Sequence, residues 1–213
     1  MPETLPLVTV ITPTWHRHDK LIDRCIPSVR EQTYPNVEHL IVSDGPDPDL
    51  AAKLFPPWRC GSKSQWYASL PEHPQGEHWG SYCRLYGLEL AAGEFITYVD
   101  DDDSLRPNHC ELLAKALIGS PEAGWAKSVM ASHHPDEHGT ITEIGWAEPC
   151  LGNVGTPMIM HRRKMEEYAT WSEPHSFEDW NLVNAWIQAG VPWVRVDEIT
   201  IDVWPSLYFG RTS

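Results

Sequence analysis

The chain has 213 residues, 41% hydrophobic and 22% charged, which suits one soluble globular domain with a sizeable core. Its formal net charge of -14 argues against a nucleic-acid backbone or an anionic lipid surface as the main partner. No apolar run reaches the length of a membrane-spanning helix, and no basic region leads into an apolar core at the N-terminus. Neither a transmembrane segment nor a signal peptide is therefore expected, and the expected compartment is the cytoplasm. Cys25, Cys60, Cys83, Cys110 and Cys150 are widely spaced without a CxxC, and read as free thiols rather than a disulfide framework or a zinc site.

Leu7 to Thr12 is β-rich and stops at Pro13, which predicts a first strand. From Asp19 to Gln32, the residues Leu21, Ile22, Cys25, Ile26 and Val29 fall at helical spacing, with Pro27 placed to kink the helix. Val37 to Ser43 reads as a second strand turned by Asp44-Gly45-Pro46. A short helix capped by Asp47 runs to Phe55, and a third strand spans Gln65 to Leu70. Pro71 to Trp79 reads as a loop, Gly80 to Ala92 as a helix ended by Gly93, and Glu94 to Val99 as a strand. Pro107 suits the first turn of a helix through Leu117. The alternation predicts an α/β protein with a mixed, mostly parallel sheet flanked by helices.

The second half is less regular. Gly124 to Ser132 is expected as a strand, His133 to Thr140 as a turn, and the residues through Trp146 as a further strand. Cys150 to Pro157 reads as a glycine-bearing loop and Pro157 to Ala169 as a helix. Glu178 to Ala189 is an amphipathic helix ended by Gly190, followed by short strands at Val194–Val196 and Glu198–Val203.

Asp100-Asp101-Asp102-Asp103 follow the predicted strand directly. Four adjacent anions repel one another, so a strand end that carries them needs a counter-charge. Mg2+ or Mn2+ prefers carboxylate oxygen and keeps positions open for phosphate oxygens. Ligands of open α/β sheets bind at the carboxyl ends of strands. Location and chemistry agree on a metal–diphosphate site. The plainer alternative is a solvated acidic turn before Pro107; an EF-hand lacks its internal glycine here.

Several motifs together resemble family 2 of the glycosyltransferases, which have the GT-A fold. They are Val8-Thr9-Val10-Ile11-Thr12-Pro13-Thr14, Ile26-Pro27-Ser28-Val29, Gln32 to Glu38, Ser43-Asp44-Gly45, Cys83 to Gly87, Ala92 to Ile96 running into the four aspartates, and Phe177-Glu178-Asp179-Trp180. Leu85 stands where the family usually has Asn, and no histidine follows His175 to join the metal shell. Tyr208 and Arg211 are alternative diphosphate contacts.

The resemblance implies a single GT-A domain over 1–213. About 1–103 would bind nucleotide and about 104–213 acceptor. It implies a metal-dependent, inverting transfer of a hexosyl-type sugar from a nucleoside diphosphate donor, UDP favoured, to a hydroxyl on a glycan, lipid-linked or protein acceptor. By resemblance Asp102 is the direct metal ligand, for Mn2+ or Mg2+. Asp100 meets ribose, or the metal through water; Asp101 joins the nucleotide set; Asp103 orients sugar hydroxyls. Asp179 is the general base, with Glu178 and Trp180 beside it as acceptor or sugar contacts. Thr12, Pro13 and Thr14 line the nucleotide pocket, Asp44 accepts from a pyrimidine N3–H, and Arg84 meets base or diphosphate.

The plainer readings are a helix-dipole role for Asp179, a turn for Asp44 and a solvent-facing helix position for Arg84. A non-catalytic sugar-nucleotide or glycan-binding module is the alternative function. A nucleotidyltransferase would need a Gly-rich basic loop that Trp15-His16-Arg17-His18 does not provide. Among the eleven tryptophans, Trp79 and Trp146 are weaker sugar-stacking candidates, and Trp186 and Trp193 are core candidates. His133, His134 and His138 read as a solvated loop, and Arg162-Arg163-Lys164 as a solvated helix face or an acidic-acceptor contact.

Overall fold

A computed structural model describes residues 5–55, 65–74, 80–136, 138–171 and 178–204. Its strands are β1 (Val8–Thr14), β2 (Val37–Ser43), β3 (Gln65–Ser69), β4 (Phe95–Tyr98), β5 (Ser104–Leu105), β6 (Trp125–His133), β7 (Ile141–Ile144), β8 (Ile159–Arg162) and β9 (Trp193–Val203). They form one sheet in the order β3-β2-β1-β4-β8-β6-β9-β5, with β7 paired to β6. The β3-β2-β1-β4 part is wholly parallel. Strand β8 then enters antiparallel between β4 and β6. Every residue of β1 is buried, the signature of a strand covered on both faces.

The two faces have separate cores. On one, Val10, Phe95 and Met160 pack with Leu50, Leu113 and Leu117. On the other, Ile11, Ile96 and Ile159 pack with Leu88, Leu182 and Trp186. Neighbours along each strand thus point to opposite layers.

Helix α1 (His18–Lys20) runs through a π turn, Leu21–Cys25, into α2 (Ile26–Arg30). The π turn leads straight into Pro27, which lacks the N–H that an α-helix would direct at Asp23 and whose ring crowds that carbonyl. Helix α3 (Pro48–Leu54) is capped by Asp47, whose carboxylate accepts from Leu50 N–H at 2.9 Å. Helices α4 (Ser81–Leu90), α5 (His109–Gly119) and α6 (Glu178–Gln188) complete the layers. Helix α4 lies close on β1: a Cβ at Gly87 would sit 2.7 Å from Ile11 Cγ2. Helix α4 stops at Leu90, three residues before Gly93, because Ala91 is already extended at ψ 140. Helix α5 starts two residues beyond Pro107.

Three expectations change. Residues 159–162 are strand β8, not the middle of a Pro157–Ala169 helix; a one-turn 3-10 helix, Thr156–Met158, precedes it and another, Arg163–Glu167, follows. Two free edges, β4 and β6, take the segment up, and tertiary pairing overrides helix propensity. The two short C-terminal strands are one, β9, continuous across Asp197 and irregular only in its register with β6. Arg162 lies on β8 rather than on a helix face, and both it and Arg163 brace helix ends. Arg162 donates to the Leu117 carbonyl at 2.7 Å, and Arg163 donates to those of Ala91 and, at 3.1 Å, Gly93, closing the C-terminal ends of α5 and α4. Among the described residues no helix is long and apolar enough to cross a membrane.

Candidate active site

Strands β1, β2 and β4 end on one edge, with Thr14 beside Ser43 and Ile11 beside Tyr98. The four aspartates turn immediately beyond β4, where Asp103 N–H donates to the Asp100 carbonyl at 3.1 Å. Asp101, Asp102 and Asp103 are all buried. Thr14 Oγ1 donates to Asp101 at 2.8 Å. Arg17 reaches Asp101 at 3.3 Å and Asp102 at 2.9 Å, with Lys20 at 3.5 Å from Asp102. Arg24 donates to the Asp102 carbonyl at 2.6 Å, and Asp103 accepts from Trp204 N–H at 3.0 Å.

These cations do not offset the whole charge. Burial, with the neighbouring aspartates adding to it, pushes Asp101 up to about 6 despite Thr14 and Arg17. Burial and Asp100 push Asp103 well above the usual carboxylate range. An all-oxygen, under-neutralised turn is the donor chemistry of a hard divalent cation. The turn does not bring three ligand atoms to one point; among the described residues three such atoms converge only at His16, His18 and Asp47, two imidazoles and one carboxylate. The fit is therefore to an ion held by one or two carboxylates and completed by phosphate oxygens.

Arg84 joins this turn to the second acidic motif. Gly80, at φ 84, starts α4 against Pro13, and the helix then buries Arg84. Arg84 lies 2.6 Å from Asp100 and 3.7 Å from Glu178, with its guanidinium 5.0 Å above the Trp171 ring. Burial works against its charge, but Asp100 and Glu178 outweigh burial and keep it protonated. Burial raises Glu178 to about 7 even so. Asp179, next to it at the start of α6, is also raised by burial, against the Trp180 N–H it accepts from at 2.7 Å.

Each remaining site candidate has a clear place. Asp44 is buried under His73, whose Nδ1 is 3.4 Å from the carboxylate, and His73 stacks on Trp15 with centroids 4.4 Å apart. Pro13 and Thr14 sit at the strand edge, but the Thr12 hydroxyl points inward, 2.9 Å from His39 and 3.6 Å from Cys25. Trp180 is half-buried against the second core, and Trp186 is fully buried there. Trp146 is exposed, with its N–H on Glu143. Trp79, His175, Phe177, Tyr208 and Arg211 lie outside the described residues. Arg17, Lys20, Arg24, Trp15 and His73 were not anticipated. A signal existed for two of them: Arg17 and Lys20 are the first basic residues after β1, the strand that ends beside the acidic turn.

A parallel half-sheet that ends in an acidic turn, then continues through an antiparallel strand, is the GT-A architecture. The crystal structure of S. aureus TarS 1–349 in complex with UDP-GlcNAc has it too, at TM-score 0.68 and 18% identity, over 94% of this chain and 59% of that one. So does a mannosyltransferase from Pyrobaculum calidifontis in complex with GDP-Man and Mn2+, at TM-score 0.64 and 16% identity, over 94% of this chain and 57% of that one. At these identities the likeness concerns the fold. The pattern of glycosyl transferase family 2 matches residues 9–132, and the chain belongs to that family. Glycosyltransferase GlyA of Streptococcus pneumoniae is 29% identical over 111 residues, covering 52% of this chain and 15% of that protein. The matched parts of the first curated relatives range from 15% to 35% of their lengths.

Proposed function

We propose that this protein is an inverting, metal-dependent glycosyltransferase that moves a sugar from a nucleoside diphosphate donor, UDP favoured, to a hydroxyl acceptor. The observation that carries it is Arg84, buried between Asp100 of the acidic turn and Glu178 beside Asp179. One side chain thereby holds the donor-side and acceptor-side motifs in a single site. The UDP-GlcNAc complex of one fold neighbour and the GDP-Man and Mn2+ complex of another support the donor and metal classes.

Asp102 and Asp100 would hold Mn2+ or Mg2+, which when bound supplies Lewis-acid stabilisation of the departing diphosphate. Asp101 and Asp103 set the shape of the turn through Thr14 and Trp204. Asp44, Trp15 and His73 frame the nucleobase end, where the indole offers a stacking face. Pro13 and Thr14 line the strand edge. Asp179 takes the acceptor proton: burial raises its proton affinity above that of an ordinary carboxylate, which suits a general base. Glu178 and Trp180 lie on the acceptor side. Arg84 is a positioning residue.

Asp179→Asn is expected to keep its melting temperature and donor binding while losing most transfer; full transfer would remove Asp179 from the base role. Proton NMR of the first-formed product reads the anomeric outcome, and a retained configuration would overturn inversion. EDTA is expected to abolish turnover and added Mn2+ to restore it. A chain that binds donor but releases no nucleoside diphosphate with any acceptor would be a binding module instead.

A further inference from the structure

A separate cluster of metal-ligating side chains lies where the loop after β1 meets the start of α3. His16, His18 and Asp47 each offer one ligand atom, and these atoms all lie within 4.8 Å of one another. His18 Nε2 is 2.7 Å and His16 Nδ1 3.5 Å from the same oxygen, Asp47 Oδ2. The carboxylate is aimed by the fold. Its other oxygen accepts from Leu50 N–H at 2.9 Å, and Tyr67 OH donates to the Asp47 carbonyl at 3.2 Å. Burial opposes the charge on Asp47, but the His18 hydrogen bond and the Leu50 N–H outweigh it and hold the pKa below its ordinary value.

His16 has φ 54, the sole positive φ outside glycine among the described residues. Such a backbone persists only where its surroundings impose it. Here Trp15, the preceding residue, is stacked on His73. The His16 ring packs on Trp15, with centroids 3.9 Å apart, and its Nδ1 faces Asp47.

Tetrahedral bonds of about 2.0–2.1 Å put ligand atoms about 3.4 Å apart. The His16–Asp47 separation of 3.5 Å already matches. The His18–Asp47 contact of 2.7 Å is a hydrogen bond whose proton an ion would replace, with a modest opening of the pair. His16 is largely exposed, at 61% of its side chain, and would reach an ion by a small shift against the Trp15 ring it packs on. Lys53 Nζ, exposed and 3.1 Å from His18 Nδ1, would turn to solvent, since Nδ1 carries the proton once Nε2 is a ligand. Outside lies an opening of about 420 Å³ lined by His16, His18, Arg17, Asp19, Lys20 and Lys53. A fourth position there would take water or an anion. Two imidazoles and one carboxylate suit Zn2+ or Co2+, not the hard ions that fit the acidic turn.

We infer that His16, His18 and Asp47 form a second metal site, of the zinc class and distinct from the four-aspartate turn. The test is Co2+ titration of the full chain carrying Asp102→Asn, followed by visible absorption. A tetrahedral, histidine-bearing Co2+ site absorbs strongly in the visible; a six-coordinate oxygen site does not. One saturable equivalent is expected, displaced by Zn2+, and lost when His16→Ala and His18→Gln are added. The same pair of substitutions in the otherwise unaltered chain must also remove the band, which guards against a folding defect in Asp102→Asn. Absence of the band with intact histidines would overturn the site, as would its persistence without them. Donor turnover plays no part in the readout, so the outcome is independent of the transferase reading.

Discussion

Replacing Arg84 with Met keeps the stem and removes the charge that Asp100 and Glu178 share. The two arms differ in weight. The Asp100 side chain is 36% exposed, so that arm counts as a near-surface pair, about 0.5–1 kcal/mol. Arg84 and Glu178 are 5% and 6% exposed, and stripping one partner from a buried pair costs about 3 kcal/mol at the lower end of its range. Protonation caps the loss, since Glu178 already titrates at about 7 and climbs further without the cation. The expected total is about 3–4 kcal/mol, or about 10 °C in melting temperature for a chain of this size. Denaturant melts at pH 6 and pH 8.5 provide the assay, with the larger loss at the alkaline value. Adding Glu178→Gln to Arg84→Met should recover about 1–2 kcal/mol, because it removes the stranded anion. Single and double variants of equal stability would refute the charge-sharing argument. Arg84→Lys should recover little, as an ammonium cannot span both carboxylates.

Arg17 is 48% exposed and competes with a cation for Asp101 and Asp102, so Arg17→Ala should tighten Mn2+ binding without donor by about two- to fivefold. Isothermal titration measures this, and weaker binding would count against the competition. Gly87→Ala places a Cβ 2.7 Å from Ile11 Cγ2 and should cost about 1–3 kcal/mol in a chemical melt; an unchanged midpoint would mean that α4 shifts freely on β1. Glu178 titrates at about 7 in the fold against an ordinary 4.5, so the folded chain holds the extra proton and stability falls as pH rises between those values. Glu178→Gln should flatten that stretch of a Tm-against-pH curve, leaving the slope due to Asp101 at about 6 and to the raised Asp103 and Asp179; an unaltered curve would place the titration elsewhere.

What the sequence made legible was local. β2 carries Leu40-Ile41-Val42 ahead of the Asp44-Gly45 turn, and its observed bounds, Val37–Ser43, are the ones expected. The Asp47 cap and the acidic start of α6 are likewise short-range signals with a short-range physics. β8 was hidden because Ile159 to Arg162 spans too few residues for alternation to outvote a helical pattern, and its partners lie more than thirty positions away in sequence. The site divides along the same line. Four aspartates in a row announce a charge problem, yet not its local remedy: Arg17 and Lys20 come from eighty residues earlier, and their pairing exists only because β1 and β4 run parallel and end together. Arg84 is the sharper case. As a residue of α4 it reads as solvent-facing, and a lone basic side chain on a helix normally is. The absence of a side chain at Gly87 and the turn at Gly80 bring α4 down onto β1 and Pro13, and that approach drives the guanidinium inward between two motifs separated by some seventy-eight positions. Long-range charge pairing of this kind follows from helix-to-sheet distance, which two glycines set, and neither glycine carries any chemical mark of the arginine it buries.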